Sequence, residues 1–140
     1  MVGGVIITHG DLATALLNSA DAIAGDIERV LTVCVEGSES TEEIAAMIED
    51  ALSRLSREDG IVIFTDMFGG TPTNIALTFL DGSGEDRGGV EVLTGVNLPL
   101  ILKFLNNRRD SDFKELISQL TEYGRKSIVL ASEMLKGGAI

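Results

Sequence analysis

A single cysteine, Cys34, excludes a disulfide framework within the chain and a zinc site of the paired-cysteine type. It stands in the middle of an apolar run and reads as a small buried hydrophobe. Basic residues are scarce. Eleven Lys and Arg against 22 Asp and Glu leave a net charge of −11, which excludes nucleic acid and an anionic membrane surface as partners, because nothing would neutralise phosphates. No apolar run approaches transmembrane length, and no charged start precedes a signal-like run, so a cytoplasmic protein without membrane insertion is expected. Repeats, linkers and low-complexity segments are missing. So are a Walker pattern and a GxGxxG after a strand, and no metal or cofactor is expected. Histidine is present once, as His9.

What is there is the composition of an ordinary soluble domain, 44% hydrophobic and 24% charged over 140 residues. That length fits one domain, taken as 1–140, with a core large enough to need no staples. Strand-like and helix-like patterns alternate. Apolar runs at 4–8, 30–35, 60–66 and 89–95 read as strands. Between the first two, Leu12, Leu16, Ala20 and Ile23 share one helical face, with Asp11 before it and Gly25 after. "STEEIAAMIEDALSRLS" carries a capping box, Ser40 with Glu43, and apolar residues at steps of three and four from Ile44 to Leu55. Pro72 suits the first turn of a helix capped by Thr71. "NLPLILKFLNN" and "SDFKELISQLTEYG" follow as helices, the second ended by Gly124. "SIVLAS" (127–132) reads as a last strand, although a returning helix fits it too.

Near-continuous apolar strands alternating with helices predict an open α/β fold: a mostly parallel sheet covered on both faces. In order 2-1-3-4, the ligand crevice falls at the carboxyl ends of strands 1 and 3, where the order reverses. His9 ends the first of these and Asp66 the second. Gly69 and Gly70 then allow a sharp turn that brings bare N–H groups to a helix start, a setting that attracts phosphate. A carboxylate holding Nδ1–H leaves imidazole Nε2 as a nucleophile, and amides around the transferred oxygens supply the stabilisation phosphoryl transfer needs. Taken singly, a lone histidine is usually structural, an Asp after a strand is commonly a cap, and Gly-Gly is mostly a turn. Their convergence at one sheet edge is what singles them out. Met67 and Phe68 fit a partner-facing patch and packing under the loop equally well.

"ITHGD" (7–11), "DMFGGTPTN" (66–74) and "GVNLPLILK" (95–103), in this order along the whole chain, resemble the enzyme IIA domain of the mannose-type sugar phosphotransferase system (PTS). The resemblance implies that His9 carries the phosphoryl group, that Asp66 hydrogen-bonds and orients it, and that Thr71, with Gly69 and Gly70, holds the transferred group. Thr71 keeps the hydroxyl of the serine some members have there. It implies HPr as phosphoryl donor, a IIB protein as acceptor, and a homodimer in which an antiparallel C-terminal strand is exchanged. A regulatory protein, with the phosphorylation state of His9 read by a partner and no sugar transported, is the alternative. The phosphotransfer subunit of dihydroxyacetone kinases and a receiver domain fit the motifs less well. The receiver would need an aspartate acceptor after strand 3 and a lysine after strand 4, and no lysine comes there before Lys103.

Overall fold

The computed structural model describes residues 1–81 and 88–137. Four strands, β1 (Gly3–His9), β2 (Val30–Val35), β3 (Ile61–Thr65) and β4 (Val90–Thr94), form one sheet in the order β2-β1-β3-β4. Every pairing is parallel. Six helices join and follow them: α1 (Leu12–Ala24), α2 (Thr41–Ser53), α3 (Thr71–Ala76), α4 (Leu98–Asn107), α5 (Phe113–Lys126) and α6 (Ala131–Lys136), with a 3₁₀ turn at Leu77–Phe79. The expected strand order and two-sided covering are therefore observed.

Alternation along the strands builds two cores. Val5, Ile7, Ile61 and Ile63 point to the face where Ile44, Ile48 and Leu52 of α2 lie. Ile6, Val62 and Phe64 point to the face covered by α1, α4 and α5. There the Phe64 and Phe104 rings meet edge to face, centroids 5.1 Å apart. Gly4 makes room for this pair, since a Cβ on it would stand 2.9 Å from Phe104 Cε2. The capping box of α2 forms as the sequence predicts, with Ser40 Oγ accepting from the Glu43 N–H at 3.1 Å.

Three local readings are corrected, and the last strand is not formed within one chain. Helix α1 buries Ala13, Leu17 and Ala20, whereas Leu12 and Ile23 are exposed. The turn Gly10–Asp11 sets that register, and the Thr8 hydroxyl fixes it by accepting from the Ala13 N–H at 2.7 Å. Helix α5 passes through Gly124 and continues to Lys126. Gly124 packs instead against α4, where an added Cβ would lie 3.5 Å from Leu100 Cδ1. Helix α3 is capped by Gly70, so Thr71 is its first residue and Pro72 its second. Finally, 127–130 joins no sheet and α6 begins at Ala131. A strand needs a ladder partner, and within one chain this segment has none.

The amino end of the sheet is tied down by Arg108, which is buried beneath α4. It donates to the carbonyls of Glu28 (2.6 Å) and Asp26 (3.3 Å) and lies over the Phe104 ring. Burial pushes its guanidinium pKa down, and nearby Asp26 opposes that. At the same end Gly60 has φ +94°, and a Cβ there would sit 2.2 Å from Phe113 Cδ2. Left-handed backbone costs a non-glycine residue about 1–2 kcal/mol, and overpacking about 1–3 more. Gly60→Ala should therefore lose about 2–5 kcal/mol, read as a lower urea midpoint at unchanged slope. A loss of only about 1–2 kcal/mol would mean that Phe113 moves aside freely, and an unchanged midpoint would refute both costs.

Candidate active site

Parallel pairing sets His9 at the carboxyl end of β1, with Asp66 one residue beyond β3. The two residues meet. His9 Nδ1 lies 2.7 Å from Asp66 Oδ2, and the backbone N–H of His9 donates to the same oxygen at 2.9 Å. Asp66 Oδ1 accepts from the Met67 N–H at 2.9 Å. Burial pushes the Asp66 carboxyl pKa up. The bonds from the His9 N–H and ring, the His9 charge and the Met67 N–H outweigh this and hold it below its usual value. An ionised carboxylate can only accept, so the proton of this contact sits on Nδ1, and in the neutral form of the ring the lone pair is on Nε2.

The ring is half exposed and the carboxylate nearly covered, at 50% and 13%. Gly70 lies against the imidazole, where an added Cβ would stand 3.0 Å from Cε1 and 3.7 Å from Nε2. Gly69 turns the chain at φ +86° just before it. A cleft of about 160 Å³ is lined by His9, Val35, Gly37, Glu39, Ile44, Thr71 and Pro72. Pro72 offers no N–H, so the amides free in the first turn of α3 belong to Thr71 and Thr73. His9, Asp66, Gly70 and Thr71 thus converge as the sequence suggests, and Gly69 makes their turn. The larger cavities, of about 400 and 340 Å³, run along the edge strands β2 and β4 instead.

Three residues of this neighbourhood escape sequence reading. Thr8 caps α1 directly behind the histidine, a role that Asp11 does not take with its side chain. Glu39 folds its carboxylate back onto the N–H groups of Glu36 and Gly37, and the Glu36 bond foremost holds its pKa down. Its only sequence signal is an acidic residue in a Gly- and Ser-rich loop after a strand. Thr73 is buried under the Asp66 loop. Met67 and Phe68 are exposed, at 55% and 76%, so they do not pack under that loop. Cys34 is half-buried, with Sγ 3.3 Å from the Thr14 hydroxyl. Among the described residues no group of three His, Cys, Asp or Glu could hold a metal ion.

A family model described as PTS system fructose IIA component matches residues 3–121. The PTS system fructose-specific EIIA component of Bacillus subtilis is 30% identical over 136 residues, which cover 97% of this chain and 90% of that protein. The PTS system mannose-specific EIIAB component of Escherichia coli K12 is 31% identical over 125 residues, 89% of this chain but 38% of that longer protein. In three dimensions the chain is similar to the phosphotransferase system component EIIA from Streptococcus agalactiae, with a TM-score of 0.80. The two share 22% identity, over 95% of this chain and 99% of that one, which speaks for the fold alone.

Proposed function

Because the chain belongs to the IIA components of the PTS, in the family whose model spans residues 3–121, we propose that it is a histidine phosphocarrier in sugar uptake. Phospho-HPr would donate to His9 and a IIB protein would accept from it. The observation that carries this reading is the 2.7 Å contact between His9 Nδ1 and Asp66 Oδ2, which leaves Nε2 as the free nucleophile. Nε2 forms the bond to phosphorus as the bond from phosphorus to the donor breaks. The positive charge then developing on the ring faces the Asp66 carboxylate. Gly69, Gly70 and Thr71 offer backbone N–H groups and a hydroxyl to the transferred oxygens. Donor and acceptor are proteins, and the exposed Met67 and Phe68 beside the ring give them an apolar surface to meet. No helix of the described residues is long and apolar enough to cross a membrane. The test is incubation with phosphoenolpyruvate, enzyme I and HPr. An acid-labile phosphoryl group should appear on the protein, and its absence would overturn the reading.

The same reading includes a homodimer. Strand β4 is a sheet edge, and such edges are normally paired or covered. The apolar segment after α5 is exposed, Ile128 at 86% and Leu130 at 63%, too apolar to stay in water without cost. Exchange of this segment between two copies, antiparallel to β4 of the partner, would cover both features. Light scattering at micromolar concentration should give twice the chain mass, and truncation after Ser127 should return a folded monomer. A full-length monomer would refute the dimer, and a dimer that survives truncation would refute the exchange.

A further inference from the structure

We propose that Thr73 is a positioning residue, whose buried hydroxyl ties the Met67 carbonyl to the Thr65 side chain, one on each side of Asp66, and so aims the carboxylate at His9. Thr73 and Thr65 are fully buried. Thr73 Oγ1 donates to the Met67 carbonyl at 2.5 Å and lies 2.8 Å from Thr65 Oγ1. A carbonyl can only accept, so the one Thr73 proton goes to Met67, and the proton between the two hydroxyls comes from Thr65. Residues 65 and 67 are thereby joined through one oxygen, with Asp66 between them.

Both ends of this clamp are tied to something firm. The Thr65 carbonyl accepts from the N–H groups of Gly95 and Val96, each at 3.0 Å, which roots it under the loop after β4. At the other end, Met67 gives its carbonyl to Thr73 and its N–H to Asp66 Oδ1. The orientation of Met67 therefore sets the rotation of the carboxylate, and Oδ2 of that carboxylate holds the ring. The side chains of Met67 and Phe68 are exposed and Gly69 and Gly70 have none, so packing does little to hold this loop. Valine at position 73 would keep the volume but leave a carbonyl and a hydroxyl without their buried partner.

The kinetic part of the proposal rests on the phosphocarrier reading; the orienting part does not. His9 is the only histidine, so ¹⁵N labelling of histidine gives one pair of ring resonances that reports the tautomer directly. The folded wild-type protein should show the Nδ1–H form. Thr73→Val should mix the tautomers and slow transfer from phospho-HPr by about ten- to a hundredfold, the scale expected for a small misplacement of a reacting group. Thr73→Ser, which restores the hydroxyl without the methyl, should rescue both readouts. A Thr73→Val protein that keeps the Nδ1–H signature would overturn the proposal. Should that variant fail to fold, Thr65→Val removes the other hydroxyl, and an unmixed tautomer there would overturn it equally. Wild-type protein that accepts no phosphoryl group would sink the carrier reading, while the tautomer comparison would still decide the role of Thr73.

Discussion

His9→Ala should fold like the wild-type protein and take up no phosphoryl group from phospho-HPr. The imidazole is half exposed, so little packing is lost, and the backbone N–H of residue 9 still reaches Asp66 Oδ2. The bond removed is a single one at the surface of the site, worth on the order of 1 kcal/mol. Chemically the loss is complete, because the chain has no second histidine and neither Asp66 nor Thr71 replaces a neutral nitrogen nucleophile. Labelled phosphoenolpyruvate with enzyme I and HPr would be followed by gel autoradiography, with circular dichroism to check the fold. Label that persists in His9→Ala would place the acceptor elsewhere and end the carrier reading.

Asp66→Asn should leave phosphorylation possible but slow it by roughly 10²–10⁴-fold, the usual worth of one orienting or proton-handling contact. The carboxylate accepts three N–H bonds, two on Oδ2 and one on Oδ1. An amide has one acceptor oxygen. If that oxygen keeps His9, the amide NH₂ is forced against the Met67 N–H; if it turns to Met67, the NH₂ faces Nδ1 and drives the ring to the wrong tautomer. Either way the charge that would stabilise the phosphorylated ring is gone. Stability should change with pH in the same comparison. The Asp66 carboxyl binds its proton less readily in the folded than in the unfolded chain. Its contribution is therefore full above the ordinary carboxylate pKa and is lost as pH falls through the lowered folded value. The gap between wild type and Asp66→Asn in urea unfolding should narrow from pH 7 to pH 3, and a constant gap would mean that the charge contributes nothing. An unchanged transfer rate in Asp66→Asn would reduce the residue to a turn cap.

Much of this was legible from residues whose neighbours are set by backbone rules. The parallel sheet covered on both faces followed from continuous apolar runs alternating with helices, and in the order 2-1-3-4 the meeting of His9 with Asp66 followed, because parallel strands end at one edge. The capping box was readable because Ser40 and Glu43 act on their own turn. Less readable was anything decided by a partner far along the chain. The buried face of α1 depends on how many residues the turn after His9 uses, and a shift of one residue moves the apolar face by about 100°. Gly124 resembles a helix terminator until Leu100 is seen against it. Thr73 looks like any helix-start threonine, since its partners Thr65 and Met67 lie on the far side of a glycine turn. For 127–130 the expected strand finds no ladder partner within one chain.

The shared oxygen at Asp66 also has a consequence for product identity. Free imidazole can be phosphorylated on either nitrogen, giving two isomers that differ in stability and in the acceptors they serve. Here Nδ1 is closed by a carboxylate 2.7 Å away, and rotating the ring to present it would put carbon Cδ2 in its place and leave that oxygen without its ring N–H. On the phosphocarrier reading, a phosphoryl group arriving at His9 would therefore give one regioisomer, the Nε2-linked one. ³¹P spectra of the loaded protein should show a single phosphohistidine line, and a IIB protein docking on this face would meet its cargo at one fixed distance from the surface.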